Sequence, residues 1–364
     1  MSMPRKIRVG ILGFGNAGRH MHAEEIGAFP DLFELYAMCD FDPARRAVAA
    51  KDFPAMKRYE CVAELLADPA VDLVTVATRN CDHTMHAMQA LEAGKMAVVE
   101  KPIAVGTEQA LELQYASERF PGKLFLRHNR RFEAAFNHVK EVIDSGKLGN
   151  VYAVRVHRHP TFGRRFDWQT TSAAFGGLLN NWGPHLIDQA LQLLESPVAD
   201  LWSDLQHRVA AGTADDYFKI ILRGENRRVV DVEVSGNTTL PDDLYYAEGD
   251  RGSLVVPLAE KTIRLKYLDP AFRFGPRHAN YGNRVAFGSY GANENPPWIE
   301  EELPLAPANG RNDLKLMWKA IYDAVVNHVP YPIAVSEGLE VVRVTEWARR
   351  ASGFVPHPLA GYND

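Results

Sequence analysis

The sequence predicts an α/β protein with two domains, on two features of its apolar pattern. Over the first 125 residues, short apolar runs alternate with segments of helical periodicity, which is typical of a parallel sheet covered on both faces. Beyond Asn129 the pattern changes, and residues 217–222, 228–234 and 244–248 resemble an antiparallel meander. We therefore expect a first domain at residues 1–126 and a second α/β domain at residues 127–364.

The individual elements follow from the apolar runs and from the residues that end them. In the first domain the predicted strands are 7–11, 32–39, 71–77, 96–100 and 124–126, and the predicted helices are 16–28, 61–67, 83–93 and 107–119. In the second domain we predict helices at 132–145, 184–194, 313–328 and 336–351, and a strand at 151–159. Residues 270–310 are rich in Gly, Pro and Asn, so we expect an irregular segment that caps a site or forms an oligomer arm.

Composition excludes several classes of protein. The 364 residues carry a net charge of −5 with no basic arm or acidic tail, which argues against a nucleic-acid partner. No apolar run approaches the roughly 20 residues that a bilayer requires, so we expect no membrane span. The N-terminus shows no apolar signal segment, and three cysteines (Cys39, Cys61 and Cys81) suit a reducing compartment. We expect a cytoplasmic protein.

A glycine-rich turn follows the first predicted strand and opens the first predicted helix. Its spacing is G-x-G-x-x-G, in which the glycines allow a tight turn, a close approach of the backbone to a pyrophosphate, and close packing of helix on strand. The helix N-terminus would direct N–H groups and its positive dipole end at the phosphates. The motif consists of Gly13, Phe14, Gly15, Asn16, Ala17 and Gly18.

An acidic residue ends the second predicted strand, where a dinucleotide's ribose would lie. Asp40, 22 residues after Gly18, can accept hydrogen bonds from both ribose hydroxyls and would repel a 2′-phosphate. This favours NAD over NADP, although Arg45 and Arg46 follow closely and could soften the preference. The first domain is therefore predicted to be a Rossmann domain that binds NAD.

Seven further segments together resemble the glucose–fructose oxidoreductase/inositol dehydrogenase (Gfo/Idh/MocA) family. They are residues 71–78 (VDLVTVAT), 90–95 (ALEAGK), 100–102 (EKP), 129–132 (NRRF), 145–149 (SGKLG), 183–188 (GPHLID) and 249–254 (GDRGSL). The resemblance implies a second domain with an open, mostly antiparallel sheet through which a homodimer or homotetramer assembles. It also implies oxidation or reduction of a hydroxyl on a sugar, an inositol or a related polyol with NAD(P).

The resemblance assigns residues to the nicotinamide end of the nucleotide site. Glu100 would orient the nicotinamide, Asn80 and His83 would contact its ribose, and a cis peptide bond would precede Pro102. Ala77, Thr78 and Lys101 complete the set of expected nucleotide contacts.

Removing a hydride from a carbinol carbon requires a base for the hydroxyl proton and a cation for the developing alkoxide. Lys101 ends an apolar strand, where partial burial would lower its pKa, and it is the first catalytic candidate. His185 occupies the family's histidine position, but Asn181 stands where an Asp is usual. Asn181, the third catalytic candidate, can orient the histidine but adds no charge, so we expect His185 to stay neutral over a wider pH range and Lys101 to take more of the proton transfer. Asp188, three residues after His185, is either its partner or a charge that interacts with the helix dipole.

Substrate contacts are expected from Lys101, Asn181 and His185 together with a strand and a loop. His157 and His159 alternate on the strand predicted at 151–159 and share a face with Arg155. Residues 162–169 mix aromatic and guanidinium groups, with Arg165 and Trp168 as candidates and Gln169 where relatives often have Arg. Neither the His157–His159 pair nor Cys81, His83 and His86 has the spacing of a structural zinc site, so no metal is expected.

The sequence therefore predicts an NAD-dependent oxidoreductase that acts on a sugar, a sugar derivative or a cyclic polyol. One alternative is an NAD-dependent glycoside-cleaving enzyme that works by transient oxidation and elimination. The absence of the usual Asp at position 181 keeps this alternative open. A second alternative is a non-catalytic nucleotide or sugar sensor, which the intact residues 100–102 and His185 disfavour.

Overall fold

The first sheet contains six parallel strands in the order β3-β2-β1-β4-β5-β6, in a computed structural model that describes residues 5–160, 165–259, 261–276, 278–284, 295–305 and 314–357. The chain winds outward from β1 in both directions, which is the Rossmann arrangement predicted from the sequence. The strands are β1 (Ile7–Leu12), β2 (Phe33–Cys39), β3 (Lys57–Tyr59), β4 (Leu73–Val76), β5 (Met96–Val99) and β6 (Leu124–Leu126).

Helices connect these strands on both faces of the sheet. A wide helical turn at Gly18–Ala23 leads into α1 (Glu24–Gly27), followed by α2 (Pro43–Asp52), α3 (Val62–Ala67), α4 (His83–Glu92) and α5 (Thr107–Arg119). Neither α2 nor β3 was predicted from the sequence. Helix α2 has a clear start, since the Asp42 side chain accepts from the Ala44 amide and Pro43 is the first helical residue. Strand β3 is three mostly exposed residues with no apolar pattern.

The second sheet has eight strands in the order β14-β13-β12-β11-β7-β10-β9-β8. The strands are β7 (Val151–Arg158), β8 (Val198–Gln206), β9 (Tyr217–Gly224), β10 (Val229–Ser235), β11 (Tyr245–Gly249), β12 (Gly252–Val256), β13 (Thr262–Leu268) and β14 (Trp298–Pro304). The predicted meander is confirmed for β9 and β10, which pair antiparallel, and wrong for β11, because β7 lies between β10 and β11. Alternation along a strand identifies its faces but not its neighbours.

The two faces of the second sheet differ in chemistry. On the inner face, Val154 and Val156 pack in one apolar core with Leu186 and Ile187 of helix α8. Arg155 and His157, which alternate with these valines along β7, point to the opposite, outer face. Helices α6 (Ala134–Asp144), α7 (Leu178–Asn181) and α8 (Gly183–Leu194) belong to this part of the chain.

The last two helices connect the sheets. Trp318 and Ile321 of α9 (Leu316–Val326) pack against Val9 and Phe33 of the first sheet. Helix α10 (Val335–Ser352) contributes Val341, Val344 and Ala348 to the core of the second sheet and Val342 to that of the first. The elements that carry the candidate site are therefore held together by apolar packing. No helix in the described ranges is long and apolar enough to cross a bilayer.

The segment at residues 270–310 is only partly irregular. Its residues 298–304 form β14, which pairs antiparallel with β13 at the edge of the second sheet. Phe272 and Phe274 contact each other edge to face at 5.1 Å between ring centroids. Residues 277, 285–294 and 306–310 lie outside the described residues, so its role as a cap or an oligomer arm stays a prediction.

Candidate active site

The glycine-rich turn leaves no room for side chains at its first and third glycines. Gly13 has φ +89°, and a Cβ there would lie 2.5 Å from the Ala77 carbonyl oxygen. A Cβ on Gly18 would lie 2.0 Å from the Gly13 carbonyl oxygen, so these two glycines allow strand and helix to pack together. At Gly15 the nearest atom to such a Cβ is Arg45 Nη1, at 3.3 Å. Asn16 is exposed and Ala17 half-buried at the start of the helical turn. The turn thus keeps an open backbone surface of the kind that a pyrophosphate requires.

Asp40 lies directly beside this turn. Its Oδ2 accepts from the Phe14 amide at 2.8 Å and from Arg45 Nη1 at 3.3 Å, and its Oδ1 accepts from the Asp42 amide at 3.0 Å. Because a carboxylate offers about four acceptor sites, Asp40 retains capacity for ribose hydroxyls. Asp40 and Arg45 thus place one acidic and one basic group beside the position expected for the 2′ group of the nucleotide ribose.

The turn after β4 is fixed by its own side chains and by the second domain. His83 Nδ1 donates to the Pro102 carbonyl at 2.7 Å, so this buried ring holds two strand ends together. Thr78 Oγ1 lies 3.1 Å from His86 Nδ1, and the Ala77 amide donates to the Leu12 carbonyl. Asn80 Nδ2 donates to the Phe175 carbonyl at 2.8 Å, which links the nucleotide domain to the loop before α7. His83 therefore supports the turn, and Asn80 faces the domain boundary.

Glu100 is the centre of a buried ion-pair network. Its Oε1 accepts from Arg127 Nη1 at 2.7 Å and from His22 Nε2 at 3.1 Å, and its Oε2 accepts from the Lys101 amide at 2.9 Å. Burial alone would raise the pKa of Glu100, but the Arg127 charge and the His22 hydrogen bond outweigh it and hold this pKa well below its usual range. Both carboxylate oxygens thus have partners in the chain itself, in addition to the nicotinamide role that the resemblance implies.

Three more residues extend the network to neighbouring elements. Arg127 Nη2 donates to Glu25 Oε2 at 2.7 Å, and Trp318 Nε1 donates to the same oxygen at 3.0 Å. His22 accepts from Thr75 Oγ1 at 2.6 Å. Arg127, His22 and Glu25 were not among the residues predicted from the sequence. Arg127 carries one recognisable signal, since it is a charged residue directly after a buried strand.

Lys101 reaches from the nucleotide domain to the second domain. The peptide bond between Lys101 and Pro102 is cis, as the resemblance implies. Lys101 Nζ donates to the main-chain carbonyl of Asn181 at 2.8 Å. Burial, together with the charges of Arg127, Arg130 and Arg165, lowers the pKa of Lys101 to about 8 against the opposing effect of Glu100. A lysine in this state exchanges a proton near neutral pH.

His185 lies on the first turn of α8, close to Lys101. Its Nδ1 is buried and has no hydrogen-bond partner among the described residues. Burial and the positive charges of Lys101 and Arg130 hold the pKa of His185 well below its ordinary value, so the ring is neutral. Trp182 flanks it edge to face at 6.1 Å between centroids. A neutral imidazole beside a lysine can accept or share a hydroxyl proton.

Asn181 and Asp188 do not act as partners of His185. Asn181 Nδ2 donates to Gln169 Oε1 at 3.1 Å, and no hydrogen bond joins its side chain to His185 in the part of the chain that the structure describes. Asp188 forms a two-pronged ion pair with Arg131, at 2.8 and 2.6 Å. Of the two roles considered for Asp188, pairing with His185 is not found among the described residues, and Arg131 binds both carboxylate oxygens instead.

Arg165 is linked to Asn181 by hydrogen bonds that both residues donate to Gln169. Arg165 Nη2 donates to Gln169 Oε1 at 2.6 Å, the same oxygen that Asn181 contacts. Trp168 begins the short turn Trp168–Thr170 that presents Gln169. Phe162, Gly163 and Arg164 of the same candidate loop lie outside the described residues.

His157 and His159 do not join this group. They lie on the outer face of the second sheet with Asp231, Glu233 and Asp242, whereas α8 and His185 pack on the inner face. Their expected contact with the same substrate as Lys101 is therefore wrong, because strand alternation directs them through the sheet, away from the helix that carries His185.

Two family models match the chain. A model described as "Oxidoreductase family, NAD-binding Rossmann fold" covers residues 7–128, and one described as "GFO/IDH/MocA C-terminal domain" covers residues 136–255. The chain belongs to the GFO/IDH/MocA oxidoreductase family.

Relatives of this GFO/IDH/MocA protein extend over nearly its full length. "Uncharacterized oxidoreductase YdgJ" of Escherichia coli (strain K12) is 30% identical over 94% of this chain and 96% of its own. "scyllo-inositol 2-dehydrogenase (NADP(+)) IolW" of Bacillus subtilis is 27% identical over 95% of this chain and 94% of its own. A solved structure titled "Levoglucosan dehydrogenase, complex with NADH and levoglucosan" superimposes with a TM-score of 0.79 at 17% identity, covering 96% of this chain and 98% of that one. The structural likeness shows the shared fold.

We expect the network around Glu100 to determine stability. In Arg127→Met, Glu100 and Glu25 lose their buried cation, so the free energy of unfolding should fall by about 3–5 kcal/mol in urea titrations at pH 7. The matched control is Arg119→Met, whose guanidinium side chain is half-exposed and lies 3.7 Å from Glu92. That change should stay within about 0.5 kcal/mol. Equal losses in the two variants would contradict a special role for Arg127.

Proposed function

We propose that this GFO/IDH/MocA protein is an NAD-dependent oxidoreductase that acts on a hydroxyl-bearing carbon of a sugar, a sugar derivative or a cyclic polyol. The observation that carries the proposal is Lys101, whose pKa is about 8 and whose Nζ lies at the Asn181 carbonyl, next to a neutral His185. The relative named as a scyllo-inositol 2-dehydrogenase supports the polyol class of substrate.

The nucleotide fits the residues present, since Gly13 and Gly18 admit no side chain and Asp40 borders the open turn. Gly13, Phe14, Gly15, Asn16 and Ala17 would hold its pyrophosphate, and Asp40 its ribose. Ala77, Thr78 and Asn80 would border the nicotinamide end. The bound nicotinamide supplies the acceptor or donor of a hydride.

Lys101 and His185 would manage the hydroxyl proton. When Lys101 is neutral, its Nζ can accept the proton as the alcohol is oxidised; when protonated, it stabilises the alkoxide or returns the proton in reduction. The neutral imidazole of His185 would offer a second acceptor for the hydroxyl proton. Neutral His185 also avoids placing another cation beside Lys101 and Arg130.

Polar and aromatic groups beside Lys101 suit a polyhydroxylated substrate. Gln169 and Asn181 carry amide donors and acceptors, Arg165 supplies a guanidinium group next to them, and Trp182 presents an indole beside His185. Trp168 lies on the same short turn as Gln169. Such a mixture of hydrogen-bonding groups and ring faces is typical of sugar sites.

The direct test is nicotinamide absorbance with purified protein, NAD and a panel of free sugars, inositols and glycosides. A steady rise with one substrate class is expected, and Lys101→Met should reduce it by about 10²–10⁴-fold while NAD binding, followed by fluorescence, is retained. Lys51→Met, which changes an exposed lysine on α2, is the control and should keep full activity. No rise in a protein that binds NAD would count against a dehydrogenase and direct the assay to glycoside cleavage.

The pH dependence should follow Lys101. Oxidation needs neutral Nζ, so its kcat/KM should rise as pH increases through about 8, and the kcat/KM for reduction should fall over the same interval. His185 contributes no second step there, because its pKa lies well below its ordinary value. Rate profiles in both directions check this. An oxidation rate that is flat between pH 7 and 9 would exclude Lys101 as the proton acceptor.

Asp40 should set the preference for NAD. Asp40→Asn removes the charge that repels a 2′-phosphate while Arg45 remains nearby, so the ratio of kcat/KM for NAD to that for NADP should fall by about tenfold or more. Asp42→Asn is the matched control, because Asn preserves the helix cap and removes a neighbouring charge. If both variants shift the ratio equally, general electrostatics rather than Asp40 determines the preference.

A further inference from the structure

Two histidines and an aspartate converge on the outer face of the second sheet. His157 Nδ1 lies 2.9 Å from one carboxylate oxygen of Asp242, and His159 Nε2 lies 3.0 Å from the other. One ligand atom from each of the three side chains lies within 4.8 Å of the others. The histidines share a face because they are two residues apart at the end of β7, and Asp242 comes from the chain between β10 and β11.

The second nitrogen of each imidazole also faces a polar group. His157 Nε2 lies 3.7 Å from Asp231 Oδ1, and both of these atoms are buried with no hydrogen-bond partner in the described residues. Lys219 Nζ holds the other oxygen of Asp231 at 2.9 Å. His159 Nδ1 lies 3.3 Å from Thr238 Oγ1. Each ring therefore has one nitrogen directed at Asp242 and the other directed at a fixed oxygen atom.

The oxygen atoms that face the second nitrogens of the two imidazoles match those found next to histidine ligands in protein metal sites. A metal-bound histidine usually donates its second N–H to a carboxylate or another oxygen, which fixes the tautomer and the ring orientation. Asp231 and Thr238 occupy that role here. The first ligands, two imidazole nitrogens and one carboxylate oxygen, suit zinc and similar divalent ions.

Burial distinguishes the three ligands. The side chains of His157 and His159 are 7% and 5% exposed, while that of Asp242 is 52% exposed. An ion between them would be anchored on the protein side by two nearly buried rings, and its remaining coordination positions would face outward from the second sheet. Three protein ligands with an open position resemble the ligand count of zinc sites that keep a bound water.

We propose that His157, His159 and Asp242 bind a divalent transition-metal ion of the zinc class, at a site separate from the Lys101–His185 centre. The expectation of no metal rested on ligand spacing along the chain. Asp242 follows His159 by 83 residues, so the third ligand becomes visible only when β7 and β11 pair. The ion would fasten the chain before β11 to the end of β7.

Metal binding to untagged protein, stripped with a chelator, tests the proposal. Titration with Co²⁺, followed by its visible absorbance, and with Zn²⁺, followed by calorimetry, should show one ion per chain. His159→Gln and Asp242→Asn should each weaken binding by at least about tenfold, and Asp231→Asn should weaken it by about 10–100-fold. Zn²⁺ should raise the melting temperature of the unmodified chain and not of His159→Gln.

His20→Gln is the matched control, since His20 is an exposed histidine paired with Glu24 elsewhere on the chain. Its affinity for Zn²⁺ should equal that of the unmodified protein. Absence of one-to-one binding, or equal binding by His159→Gln and Asp242→Asn, would overturn the proposal. Nicotinamide turnover should be the same with and without Zn²⁺; a loss on stripping would overturn the separation of the two sites. Because the main readout is metal binding, the result is independent of whether the proposed oxidoreductase activity is found.

Discussion

The burial of Glu100 is the constraint on which the rest of the site depends. A carboxylate in the interior is expensive unless it is paired and hydrogen-bonded, and Arg127, His22 and the Lys101 amide together meet that requirement. These partners come from three different elements, so satisfying one carboxylate fixes the end of β6, the first helical turn and the direction of the chain after β5. Glu25 and Trp318 carry the same network on to α9.

The same network sets the electrostatics of the reactive groups. Arg127 neutralises Glu100, so Glu100 only partly offsets the effect of burial and of neighbouring cations on Lys101. Had Asp stood at position 181, a further negative charge would favour the protonated forms of both Lys101 and His185. With Asn181 the site keeps a basic, partly deprotonated lysine beside an uncharged imidazole, a combination suited to proton transfer near neutral pH.

The sequence predicted much of the first domain and less of the second, for physical reasons. Parallel strands buried on both faces are continuous apolar runs, so β1, β5 and β6 were recognisable, and the turn chemistry of residues 13–18 identified the nucleotide loop. Half-buried strands reveal their faces but not their neighbours, so the insertion of β7 between β10 and β11 was missed. His157 and His159 were correctly assigned to one face, yet their side of the sheet depends on which helices pack there. Arg127, His22 and Asp242 could not be assigned because their partners lie far away along the chain.

The anchor of Lys101 on the second domain is a main-chain oxygen, that of Asn181. Every amino acid supplies the same carbonyl, so this contact is indifferent to the side chain at position 181. Asn80 crosses the domain boundary in the same way, through the carbonyl of Phe175. Substitutions at positions 181 and 175, which contribute only main-chain carbonyls to these contacts, can change the local surface without removing either hydrogen-bond acceptor. The architecture thereby separates the residues that can diverge during evolution from the contacts that hold the reactive group in place.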